Sequence, residues 1–202
     1  MAYSWHASIT TDNIKVIGSA NLIDFPMLVS GTYDGTGSEP DLKSVANGGH
    51  IENVDETATI SGADDAPADF VFSPNTDGSS PYDFEIAYYD PTTGDIIAWV
   101  RIPILDYDDD TVLYIAYGDD DIVASQEDID NTWKEEYKFV SHDGGKTDSS
   151  GNGSDGSAGG GVTMGGVSGQ INLATDFDGS DDWIDLGHDS SLNITGDMTH
   201  QA

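Results

Sequence analysis

Apolar and polar side chains alternate with period two through the middle of the chain. In 82–89, Phe84, Ile86 and Tyr88 share one face while Asp83, Glu85 and Ala87 share the other. That pattern predicts a strand with one wet face. Asp90-Pro-Thr-Thr-Gly94 reads as a turn. A more buried strand is expected over 95–105 and, after the polar loop 106–110, a third over 111–117, rich in β-branched and aromatic residues. Short connections predict antiparallel neighbours and so a meander of these three. Upstream, 5–10, 14–17, 25–29 and 69–72 read as strands, and 31–68 as loops with short strands such as 50–53. Downstream, strand-like runs lie at 171–177, 183–186 and 191–195. One short helix is predicted near 125–136. Ser125 is placed to cap it, Asp128 follows three residues later, and Ile129, Trp133 and Tyr137 recur every four residues. The Gly- and Ser-rich stretch 143–170 reads by composition as a linker. The fold class is therefore all-β: an antiparallel, jelly-roll-like sandwich over 1–122, then the helix and a partial second sandwich over 123–202.

Composition narrows the partners. The 202 residues hold 38 Asp plus Glu against 6 Lys plus Arg, a formal net charge of -32. Such a chain lacks the basic face that neutralises nucleic-acid phosphates, and an anionic membrane repels it. There is no apolar run long enough to span a bilayer. The absence of cysteine excludes disulfides, thiolate chemistry and Cys-ligated metals. Hydrophobic residues make up 37%, which suits a thin two-layer body more than a thick α/β core. Tryptophans, tyrosines and phenylalanines set in alternating runs argue against a disordered acidic chain. A folded protein from a high-salt medium fits the charge, because at 1 M salt the screening length falls to about 3 Å. A calcium-rich acidic surface protein is the rival reading.

Clustered aspartates supply the metal candidates: Asp106, Asp108 and Asp110 in one loop, and Asp176, Asp178 and Asp182 in another. Oxygen-rich loops suit Ca²⁺, although Gly179 comes too early for a helix–loop–helix calcium loop. Ca²⁺ is thus the one candidate cofactor. Asp83 and Glu85 lie on one strand face, as a glycosidase acid and base would, but with so many acids such pairs arise by chance and a solvated strand face is the favoured reading. The histidines His6, His50, His142, His188 and His200 show no metal-ligand spacing. Neither a nucleophile elbow nor a phosphate loop is present, and no catalytic residue is assigned. Trp99, Tyr88, Tyr89, Tyr114 and Tyr117 would serve either as a sugar-stacking platform or, the simpler reading, as sandwich core.

Six motifs stand in order along 1–122: Trp5 with Ile9, Asp24-Phe-Pro-Met-Leu-Val29, Phe70-Val-Phe-Ser73, Tyr82-Asp-Phe-Glu-Ile86, Ala98-Trp-Val-Arg-Ile-Pro103 and Thr111-Val-Leu-Tyr-Ile-Ala-Tyr-Gly118. The series resembles a family of β-sandwich domains of unassigned function, found in large surface proteins and viral structural proteins. An insertion-like stretch at 59–68 departs from it. Beyond it, Trp133 to Tyr137, Phe139-Val-Ser-His142, Asp148-Ser-Ser-Gly-Asn152, Phe177-Asp-Gly-Ser-Asp-Asp-Trp-Ile184 and 191–199 are similar to the start of a concanavalin A-like, laminin G-like jelly roll. That resemblance implies a strand ending at His142 and a loop-rich sandwich segment, not a free linker, at 143–170.

A full jelly roll of this kind is much longer, so the second part is expected to be a fragment or to be completed by neighbouring subunits. No basic-then-apolar leader is visible at the N-terminus, as expected of a protein built into virus particles. The expected function is a non-enzymatic structural or decoration protein of a virion from a high-salt environment, in contact with host-surface glycans. Its expected partners are copies of itself and other virion proteins, without nucleic acid or membrane insertion. The alternative is a fragment of a secreted or cell-surface carbohydrate-binding adhesion protein. A third reading, a glycoside hydrolase, lacks the paired-Glu strand motif of its fold.

Overall fold

The computed structural model describes residues 3–37, 39–55, 66–142, 145–171 and 173–199. Most of the insertion-like stretch, 59–65, lies outside the described residues, as does His200. The chain divides into two compact units, Met1–Thr132 and Trp133–Ala202.

The first unit holds β1 (Trp5–Thr10), β2 (Leu22–Thr32), β3 (Val54–Asp55), β4 (Ala66–Pro67), β5 (Phe70–Ser73), β6 (Phe84–Asp90), β7 (Asp95–Leu105), β8 (Val112–Tyr117) and the single-turn helix α1 (Ile129–Thr132). Two three-stranded antiparallel sheets, ordered β1-β8-β5 and β2-β7-β6, form an all-β sandwich. One apolar cluster joins them: Ile96, Ala98, Val100 and Ile102 of β7 with Leu113 and Ile115 of β8. Phe70 and Phe72 of β5 meet Phe84 of β6 edge to face at 5.7 and 5.4 Å between centroids, and each other at 4.9 Å. Aromatic pairs of this geometry contribute beyond their buried area.

Several local expectations are corrected. The meander stops after β7. Asp106 Oδ1 accepts the N–H groups of Asp108 and Asp109 (2.9 and 3.3 Å), and this turn carries the chain across to the other sheet, where β8 pairs with β1. In β6 the period-two face assignment ends at a bulge between Ile86 and Tyr88. The extra residue re-aims the side chains after it, so Tyr89 enters the core at 1% exposure while Tyr88 stays half-buried. The expected strand 14–17 is instead a 3₁₀ turn at Asn13–Lys15, capped by Asp12 through the Ile14 N–H. Residues 50–53 contribute only an isolated bridge between Ser44 and Ile51.

The helix is shorter than its pattern. Its cap is Asp128, whose carboxylate accepts the Asn131 N–H (3.2 Å); Ser125 is bound up with Glu127. Thr132 Oγ1 donates back to the Asp128 carbonyl (2.7 Å), a contact that disfavours continuation. Glu127 Oε1 accepts the Ile86 N–H, and Asp128 N–H bonds to Phe84 O. These bonds tie 125–128 to β6, and the first compact unit runs on to Thr132.

The second unit holds β9 (Ser157–Gly159), β10 (Thr163–Ser168), β11 (Leu173–Asp176) and β12 (Trp183–Asp185), in two antiparallel pairs, β9–β12 and β10–β11. The Gly-rich stretch is therefore partly strand. Gly159 faces Trp183, where any Cβ would overlap the indole. No strand forms at 139–142, and the expected strand 191–195 begins as a 3₁₀ turn, Ser190–Leu192, capped by Asp189. Asp148 is the organising residue. Its Oδ1 accepts from Val140 and Ser150 N–H, and its Oδ2 from Ser154 N–H. Burial alone would raise the Asp148 pKa, but these bonds together hold it below the usual carboxylate value.

Candidate functional site

The aspartate candidates separate into turn formers and convergent groups. Asp106 closes its own turn, and Asp110 Oδ1 accepts the Asn13 N–H (2.8 Å), so the carboxylates of Asp106, Asp108 and Asp110 are not gathered on one point. Asp176 lies in β11 opposite Thr163. Asp178 and Asp182 do converge, with Asp181 as the third member. Asp119, Asp120 and Asp121 form a second such group, and in both the ligand atoms lie within 4.8 Å of one another. Asp182 Oδ2 accepts the Asp178 N–H, whereas its Oδ1 is buried with no hydrogen-bond partner among the described residues. Ca²⁺ takes six to eight oxygens, so either triad would supply only part of a shell. No histidine joins a convergent group among the described residues.

The Asp119 group stands on a carboxylate that was not singled out as a site residue in the sequence. Asp69, fully buried, accepts the N–H groups of Glu52 (2.9 Å), Asn53 (3.1 Å) and Asp119 (3.1 Å). It thereby pins the 50–53 and 118–121 loops together. The available signal was an acid directly before the apolar run Phe70-Val-Phe72, where only a bonded carboxylate is tolerated. Burial, with the charges of Asp119 and Asp69, pushes the nearby Tyr3 hydroxyl up to about 12. Beside these loops Trp5 stacks flat on His50, ring centroids 4.1 Å apart.

The candidate acid–base pair does not stand as two exposed carboxylates. Glu85 is buried, and Asp83 is ion-paired with Arg101, which also reaches Asp24 at 3.2 Å. The only arginine of the chain thus ties β2, β7 and the approach to β6. The five aromatics form no common platform. Tyr89 and Tyr117 are core residues, with Tyr89 Oη donating to Leu42 O and Tyr117 Oη accepting the Asp41 N–H. Tyr88 and Trp99 belong to the β2-β7-β6 sheet, and Tyr114 to the other.

The two units differ most in what they bury. Of the apolar residues in 133–202, Trp133 alone is buried among the described residues; Ser150 and Ser154 are buried as well. Val167, Ile171, Leu173, Phe177, Trp183, Ile194 and Met198 are 38–68% exposed. The two strand pairs of this unit, β9–β12 and β10–β11, are each only two strands wide and so have open edges. No family model matches the chain, and no curated protein or solved structure matches it.

Proposed function

We propose that the chain is a non-enzymatic structural protein that works in an assembly, as a surface or decoration component of a virus particle from a high-salt environment that touches host-surface glycans. The observation that carries the assembly part is the second unit, whose loop 140–154 is ordered around Asp148 while Val167, Leu173 and Trp183 of its strands stay exposed. A first unit with a complete core and a second without one suits a module that is displayed by one half and attached by the other. Closed symmetric oligomers are the usual way to cover such a face. The acidic surface supports the high-salt setting, since carboxylates outnumber bases about six to one. The virion setting itself rests on the resemblance of the ordered motifs over 1–122.

Electron microscopy of particles from a producing culture tests the virion assignment. Symmetric surface density that fits the two three-stranded sheets is expected. Particles bare of this chain, with the protein found attached to cell envelopes, would transfer the proposal to the adhesion-protein alternative.

A further inference from the structure

The turn after β5 lies over the outer face of the β1-β8-β5 sheet. A Cβ on Gly78 would run into the Tyr3 ring and approach the Ala116 Cβ. Tyr114, two residues before Ala116, shares that face with Ser8 and Ser73, its cross-strand partners. Between turn and sheet runs an open groove of about 400 Å³, lined by Pro74, Asn75, Thr76, Asp77, Ser79 and Tyr114.

The lining is ordered by its own bonds. Ser73 Oγ and Asn75 Nδ2 both donate to Ser79 O (2.7 and 2.9 Å), and the Asn75 N–H donates to Ser73 Oγ (2.9 Å). Ser79 donates twice to Asp77 Oδ1, from N–H at 3.0 Å and from Oγ at 2.6 Å. Next to it Ser80 holds φ at 59°, a conformation that favours glycine. The His6 ring meets Tyr114 edge-on at 6.2 Å. Asp77 Oδ2 and Asn75 Oδ1 remain as acceptors on exposed residues, held in place before any ligand arrives. The Ser79 bonds keep the Asp77 carboxyl below the usual range, hence ionised.

These features select a ligand class. The lining contains no base, and the net charge of -32 repels anions. Among the described residues Asp77 belongs to no convergent carboxylate group that would hold a metal ion, and the class that fits is a neutral ligand rich in hydroxyl donors, with an apolar face for the tyrosine ring. An open groove suits a run of an extended chain better than an enclosed small molecule. We propose that this groove binds a neutral saccharide, with the C–H face of one pyranose against Tyr114 and adjacent ring hydroxyls donating to Asp77 and Asn75. The proposal rests on the non-enzymatic, glycan-contacting part of the proposed function and is independent of assembly.

The test titrates the full chain in molar NaCl with maltohexaose, cellohexaose and mannohexaose, and with a heparin hexasaccharide as the anionic control. Binding is followed by NMR shifts, and sugar length is checked afterwards. At least one neutral hexasaccharide is expected to bind, and heparin is not. Asp77→Asn keeps the Oδ1 acceptor for Ser79 but removes the charged second oxygen. It should weaken binding about tenfold, as loss of a hydrogen bond to a charged group does. Tyr114→Ala should weaken it similarly, while Tyr114→Phe, which keeps the ring, should stay within about threefold. No binding by any of the three neutral probes, or binding indifferent to Asp77→Asn and Tyr114→Ala, overturns the groove assignment. Shortening of a bound hexasaccharide overturns the non-enzymatic reading instead and is told apart by the change in sugar length.

Discussion

Asp69→Ala is expected to destabilise the first unit by about 3–5 kcal/mol, the cost of leaving several buried N–H donors without an acceptor. The donors are those of Glu52, Asn53 and Asp119. Asp69→Asn should cost much less. A carboxamide oxygen in the Oδ2 position keeps the bonds to Glu52 and Asp119, and only the Asn53 N–H is left facing an NH₂ group. The pH dependence has a definite sign. Burial raises the Asp69 pKa above its unfolded value, against the opposing pull of its N–H bonds. The contribution of this proton is therefore fully present below the unfolded value, near ~3.9, and lost as pH rises through the folded one. Urea unfolding at neutral and mildly acid pH should thus show the wild type gaining on Asp69→Asn with acidification. Equal losses for alanine and asparagine would remove Asp69 from its organising role.

Salt is expected to have the second large effect. Lys43 pairs with Asp41 and Arg101 with Asp24 and Asp83; with 38 carboxylates against 6 bases, most carboxylates have no Lys or Arg to pair with. Their mutual repulsion is damped only by solvent ions, over a screening length of about 3 Å at 1 M salt but about 10 Å at 0.1 M. Lowering NaCl across that range should reduce the melting temperature by about 10 °C, or roughly 3–4 kcal/mol for a protein of this size. A flat melting temperature would contradict the high-salt reading. Full recovery with millimolar Ca²⁺ at low NaCl would shift the explanation to the Asp119 and Asp178 groups.

Strand positions were legible where a single face decides the side chain. β7 covers the whole span expected, with Ile96, Ala98, Val100 and Ile102 alternating inward until the pattern breaks after Pro103, and β1 matches 5–10. Strand partners were not legible, because the crossing after Leu105 depends on the Asp106 turn and on Thr11 and Thr111 bonding each other across the sheet end. Short apolar runs misled where an aspartate could cap a turn, as Asp12 and Asp189 do. Composition hid β9 and β10: Gly159 admits the Trp183 ring, and Gly160 and Gly169, just past the two strands, lie close to the backbone of Asp181 and Leu173. For the sites, acidic runs located the Asp178–Asp182 group but did not tell ligand-like carboxylates from turn acceptors. The aromatic platform dissolved because a bulge and the second sheet sent its members to different faces.

The central claim is that the second unit completes itself by association. The direct measurement is solution mass, by sedimentation and light scattering in molar NaCl, of the intact chain and of residues 1–132, combined with limited proteolysis. A discrete oligomer is expected for the intact chain, a monomer for 1–132, and protection of 133–199 only in the oligomer. A monodisperse monomer of the intact chain with a protease-resistant second unit would contradict that claim.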